Sequence, residues 1–188
     1  DVDCSAIVLS GVGAFSAGAD LKDDARVSRA DQTLMQQRQA MRLGPDLCRA
    51  WADLEQITIA SIERFCIGGG LALAVSCDHR IVARDAQFRL PDVPLGMNMS
   101  WQSVPRIVAL IGPSRAKALI ALGRKVNAQE AEAWGLADAV VDPGHALETA
   151  SAMAADYAAL PPLALRMAKQ AIDVAAQPLG HATSFMDR

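Results

Sequence analysis

Gly68-Gly69-Gly70 is the stretch whose residue types and spacing could do chemistry. Three consecutive glycines cost backbone entropy, so a folded chain keeps them for a conformational or a contact reason. An apolar run from Ile57 to Ile62 precedes them, and a small-residue run from Leu71 to Cys77 follows. The pattern predicts a strand, a tight turn and a helix. At such a turn a ligand can approach the main chain closely, and the first N–H groups of the helix are unpaired and point at it. Donors of that kind suit a developing negative charge. The same glycines would also serve where two elements pack closely, and local sequence leaves both readings open. Asp92, next to Pro91, is a second candidate: a carboxylate beside proline either caps its own loop or moves a proton.

Other chemistries find little support. The three histidines, His79, His145 and His181, form no pair at metal-ligand spacing, so no metal site is expected. His79, beside Asp78 at the start of an apolar run, reads as a structural hydrogen-bonding residue. There is no Gly-x-Ser-x-Gly elbow, and neither glycine stretch reads Gly-x-Gly-x-x-Gly at a strand-to-helix turn.

The elements that must position these residues follow from periodicity. Ser5–Ser10 reads as a buried strand ending at Gly11, followed by a Gly/Ala/Ser loop to Leu21 and a polar surface segment from Lys22 to Asp31. A helical pattern starts at Gln32, is interrupted by Gly44-Pro45, and resumes through Leu47, Cys48, Trp51 and Leu54. Further strands are expected at Ile57–Ile62, His79–Ala83 and Ala139–Val141, with Glu63-Arg64 as a short connection and Gln87–Met99 as loop with at most short strand pieces. Helices are expected at Leu71–Cys77, Ser103–Ile111, Ser114–Leu122, Ala128–Trp134 with Asn127 as N-cap, His145–Leu160 and Pro162–Ala176. Strands alternating with helices argue for an α/β fold with parallel pairing, in which ligands bind beyond the carboxyl ends of the strands.

Composition narrows the partners. The 188 residues suit a single domain that is 52% hydrophobic and 21% charged, with only 4% aromatics. A net charge of −3 without a basic block argues against nucleic acid. No apolar run approaches the ~20 residues of a membrane span and no signal peptide is visible, so a cytoplasmic location is expected. Cys4, Cys48, Cys66 and Cys77 make no Cys-x-x-Cys and read as reduced core thiols.

In this order, several pieces carry a family resemblance: Ala14-Phe15-Ser16-Ala17-Gly18-Ala19-Asp20-Leu21-Lys22, Gly68-Gly69-Gly70, Cys77-Asp78, Gln87-Phe88, Pro91-Asp92 with Leu95-Gly96, and Ala128-Gln129-Glu130-Ala131 leading to Trp134-Gly135-Leu136. Together they resemble the crotonase, or enoyl-CoA hydratase/isomerase, superfamily. The resemblance implies a crotonase-like α/β spiral of ββα units with C-terminal helices. It divides the chain into a core over 1–144, continuing before Asp1 in relatives, and a helical region over 145–188 that relatives extend. It implies an acyl-CoA thioester as substrate, with coenzyme A entering only as part of that substrate and no other cofactor. Homotrimers or dimers of trimers are implied as well.

The resemblance also assigns roles. The main-chain N–H groups of Ala19 and Gly69 would hold the thioester oxygen, where an enolate develops. The backbone around Ala17, Asp20 and Leu21 would face the adenine, and Lys22 would lie near the phosphates. Two-carboxylate hydratases of the family carry one Glu shortly after the triple glycine and another after a downstream Pro. Here those positions are Ala72, which transfers no proton, and Asp92, which can. After Gly96, relatives often have Pro-Gly-x-Gly-Gly, whereas this chain reads Met97-Asn98-Met99-Ser100-Trp101-Gln102-Ser103. Met97 and Trp101 would reshape the acyl pocket or serve as plain core packing, and Ser100 or Gln102 could hold a water. Two functions follow as expectations: an enolate-stabilising lyase or isomerase with one carboxylate, or a non-catalytic acyl-CoA-binding homologue.

Overall fold

The computed structural model describes residues 3–20, 32–98 and 101–176. The structure is built on a four-stranded parallel sheet. The strands are β1 (Ala6–Ser10), β2 (Ile57–Ile62), β4 (His79–Ala83) and β7 (Ala139–Val141), in the order β1-β2-β4-β7. All six residues of β2 are buried, which explains its unbroken apolar run: a central parallel strand is covered on both faces. Ile57 and Ile59, with Ile81 of β4, pack on Ala146 and Ala150 of α5 (Ala146–Ala158). Ala60, Ile62 and Val82 point the other way, into the main core with Leu71, Phe88, Leu90, Ile107 and Leu119.

A second, smaller sheet has the order β3-β5-β6 and consists of β3 (Phe65–Ile67), β5 (Gln87–Arg89) and β6 (Val126–Asn127). The sequence reading misses β3 and β6, because segments of three and two residues carry no measurable period. β3 matters for the site, since it delivers the chain directly into the glycine turn. The helix after that turn, α2 (Gly69–Ala74), starts and ends earlier than the expected Leu71–Cys77. Ser76 Oγ donates to the Ala72 carbonyl at 2.9 Å and Cys77 N to Ala74 O at 3.2 Å, closing tight turns in place of a further helical turn.

The expected break at Gly44-Pro45 does not occur. α1 runs unbroken over Leu34–Ala52, opened by a Thr33/Gln36 capping box. Proline inside a helix costs ~3 kcal/mol. Here Gly44 and Pro45 are both buried, so packing offsets that cost. The expectation holds further on: α3 (Ser103–Ile120) is broken at Gly112, whose φ of 75° and ψ of 163° are not helical. α4 (Ala128–Trp134) has the expected Asn127 cap, in a capping box with Glu130, and ends on Gly135 at φ 85°.

The chain closes with α5 and α6 (Pro162–Ala176). α6 is pinned by Lys169, whose Nζ donates to Asp78 Oδ2 and to the Gln56 carbonyl, each at 2.7 Å. Asp78 Oδ2 also accepts from Thr58 N at 2.7 Å and Thr58 Oγ1 at 3.0 Å, so Thr58, one of two polar residues buried in β2, is satisfied. No described helix is long and apolar enough to cross a membrane. All four cysteines are free, and Cys48, Cys66 and Cys77 are buried.

Candidate active site

The loop after β1 and the turn after β3 are stitched together. Ser16 N donates to Phe65 O at 2.8 Å, and Ile67 N donates back to Ser16 O at 3.0 Å, forming a parallel bridge between Ser16 and Cys66. Ala19 therefore stands three residues beyond Ser16, and Gly69 three residues beyond Cys66. The three glycines are required for three different reasons. Gly68 has φ 57° and ψ −124°, a region that L side chains avoid. A β-carbon on Gly69 would lie 2.5 Å from Cζ3 of the Trp101 ring, and one on Gly70 would lie 2.4 Å from Ser16 Cβ. The packing reading of the triple glycine has a geometric counterpart in both Gly69 and Gly70, and Gly69 also borders an open surface.

That surface is a cavity of about 290 Å³ lined by Leu9, Phe15, Ser16, Ala19, Gly69 and Trp101, among others. Neither the Ala19 N–H nor the Gly69 N–H finds an acceptor among the described residues. Gly69 opens a helix, whose first N–H groups have no intrahelical partner, and Ala19 is exposed, so both donors are open to water or a ligand. The two, from separate segments, share the wall of one cavity whose other walls are largely apolar.

Trp101 is the cavity's bulkiest wall. Its indole is wedged between two glycines on different helices: a β-carbon on Gly44 of α1 would lie 2.1 Å from Cε2, as one on Gly69 would meet Cζ3. Trp101 and Gln102 both adopt left-handed backbone, with φ 63° and 56°, at a cost of about 1–3 kcal/mol each. Arg106 Nη1 donates to the Gln102 carbonyl at 2.9 Å, and burial holds the Arg106 guanidinium below its usual pKa. Turned with its oxygen toward α1, the Gln102 amide accepts from Arg49 Nε at 3.2 Å.

The carboxylate candidate sits differently. Asp92 opens a short 3₁₀ turn over Val93–Leu95 and caps nothing with its side chain. Its Oδ2 is buried with no hydrogen-bond partner among the described residues, an expensive state for a carboxylate oxygen and unlike that of a loop-capping residue. Asp92 does not line the cavity described above. Ala72 is wholly buried in the main core. Met97 is 44% exposed and also stands outside the cavity wall, unlike Trp101. Ala17 and Asp20 are exposed on the loop flanking Ala19. Leu21, Lys22, Met99 and Ser100 lie outside the described residues.

Sequence reasoning missed Ser16, Leu47 and Gly44 as parts of the site. The signal for Gly44 was present: a glycine within an apolar helical pattern marks a close approach as well as a break. His79 is a structural residue, with Nε2 2.7 Å from the Tyr157 hydroxyl, the rings stacked, and Nδ1 3.7 Å from Asp138. Among the described residues no group of three His, Cys, Asp or Glu side chains could hold a metal ion.

Comparison with known proteins shows the family and the fold. The family profile described as enoyl-CoA hydratase/isomerase matches residues 1–187, and the chain belongs to this family. Its mixed α/β architecture is the crotonase fold. The chain is 33% identical over 175 residues to a short-chain-enoyl-CoA hydratase of Clostridium acetobutylicum, covering 92% of this chain and 65% of that protein. It thus spans just under two thirds of that relative's length. Among solved structures, an enoyl-CoA hydratase from Bacillus anthracis superposes with a TM-score of 0.81 at 33% identity, covering 93% of this chain and 69% of that one. DspI of Pseudomonas aeruginosa superposes with a TM-score of 0.83 at 34% identity, covering 92% of this chain and 64% of that one.

Proposed function

We propose that the chain binds an acyl-CoA thioester and stabilises its enolate with the N–H groups of Ala19 and Gly69, while Asp92 transfers a proton. The observation that carries this reading is the pair of acceptor-free main-chain donors on one apolar-walled cavity. Removing a proton near a thioester carbonyl, or adding a nucleophile to a conjugated one, puts charge on the thioester oxygen. Two donors fixed before the substrate arrives meet that charge without reorganisation. One such donor is worth ~2.7–4 kcal/mol in other enzymes.

Asp92 suits the proton-transfer role because an unpaired buried carboxylate oxygen is costly to keep, and a proton from the acyl chain would give it a partner. Ala72 argues against a mechanism with two carboxylates. Double-bond isomerisation needs one group that takes a proton from one carbon and returns it to another, so it fits a single carboxylate better than water addition does. The resemblance would further place the CoA adenine along Ala17 and Asp20.

The test is turnover of a panel of enoyl-CoA esters by the chain and by Asp92→Asn. A loss of at least ~10²-fold in the variant is expected, in line with removing a general acid–base group. Turnover like that of the unaltered chain would sink the role of Asp92. A second reading, a non-catalytic acyl-CoA binder, is favoured by Ala72 and by the position of Asp92 off the cavity wall. Thermal stabilisation by acyl-CoA with no product from any ester would select it.

A further inference from the structure

We infer that Trp101 is a specificity-determining residue that closes the acyl end of the cavity and restricts the site to short acyl chains. The inference rests on the acyl-CoA reading above and adds to it the size of the acyl group. Four observations carry it. First, the indole lies against Gly69, a cavity-lining residue whose N–H the acyl-CoA reading puts on the thioester oxygen, so on that reading it stands beside the thioester carbon and meets the first carbons of the acyl chain on that side. Second, the ring has no room to retreat, because the opposite edge is against Gly44 of α1, where a β-carbon would lie 2.1 Å away. Third, the backbone beneath it is held in two successive left-handed conformations and latched by Arg106 to the Gln102 carbonyl, so the wall is fixed rather than swinging. Fourth, the cavity beside it is about 290 Å³, just below the ~300–1,000 Å³ of small-molecule pockets.

Leu9, Leu47 and Leu73 complete the wall with aliphatic surface, so the selected group is apolar as well as short. Each methylene that a hydrophobic pocket cannot take costs about 10–200-fold in discrimination.

The experiment is calorimetric titration of the full chain, unaltered and as Trp101→Ala and Trp101→Phe, with butyryl-CoA and with decanoyl-CoA. The unaltered chain should bind butyryl-CoA more tightly than decanoyl-CoA. Trp101→Ala should move the ratio of the two Kd values at least ~10-fold toward decanoyl-CoA, and Trp101→Phe should move it the same way by a smaller factor. An unaltered chain that binds decanoyl-CoA as tightly as butyryl-CoA overturns the inference. So does a ratio in Trp101→Ala within about threefold of the original while butyryl-CoA still binds. If Trp101→Ala does not fold, Trp101→Phe decides on the same ratio, and no shift there overturns it. Absence of binding by either ester to the unaltered chain would instead remove the acyl-CoA reading on which the inference stands.

Discussion

Lys169 Nζ and Asp78 Oδ2 stand 2.7 Å apart, joining the last described helix to the turn that opens β4. The ammonium end is almost fully buried, with 5% of the Lys169 side chain exposed, and Asp78 keeps two further bonds from Thr58. Removing one member of a buried pair strands the other. Lys169→Met should destabilise the fold by about 3 kcal/mol, the lower end of the range for such pairs because Thr58 still satisfies Asp78. Urea unfolding followed by far-UV circular dichroism would measure it. A single transition in both proteins would show that α6 unfolds with the sheet.

Asp138 gives a pH signature. Burial raises its pKa, but the neighbouring His79 ring, the Arg80 charge and the Arg80 N–H together outweigh burial and leave it below the usual carboxylate value. A carboxylate with a depressed folded pKa stabilises fully above its unfolded value of ~3.9, and that contribution fades as pH falls through the folded value. Asp138→Asn should therefore lower Tm at pH 7. The gap between variant and original should narrow as pH drops below ~4. A gap independent of pH would contradict the assignment.

The Gly70–Ser16 approach predicts a coupled pair. Gly70→Ala forces a methyl against Ser16 and should cost about 1–3 kcal/mol, as overpacked sites do. Adding Ser16→Gly removes the obstruction and should recover part of the loss, leaving an interaction energy of about 0.5–3 kcal/mol in a double-mutant cycle. Strict additivity would show that the methyl is accommodated some other way.

The cysteines offer an independent check on the core. Burial pushes Cys77 up to about 12, only partly countered by the Trp51 N–H and Arg80, and burial raises Cys48 and Cys66 as well. In the native state at pH 8, a thiol reagent should modify Cys4 first. The other three should react only on unfolding, since the thiolate is the reactive form. Three fast thiols would mean that the core around β2 is open.

Much of this fold is legible in the sequence. The strands at Ile57–Ile62, His79–Ala83 and Ala139–Val141 appear where apolar runs end in polar residues or glycine. The Asn127 cap and the break at Gly112 appear where local chemistry dictates them. Pro45 misleads because its helical cost is set against tertiary burial that no local window contains. β3 and β6 are too short to leave a period. At the site, the glycines and Ala19 are legible as a pattern, whereas the indole of Trp101 between Gly44 and Gly69 depends on three segments meeting in space. From sequence, that tryptophan reads equally as core or as pocket, and it serves as both.

The reciprocal bonds between Ser16 and the β3 backbone have a last consequence. They make the Ala19 loop and the Gly69 turn one mechanical part, like the two prongs of a fork cast from a single handle. Displacing either prong drags the other along, so under the proposed function the Ala19 and Gly69 N–H groups weaken together. Substitutions that disturb Ser16, Ile67 or Gly68 should then damage both of the proposed contacts. Combining any two of them should cost little more than the worse one alone.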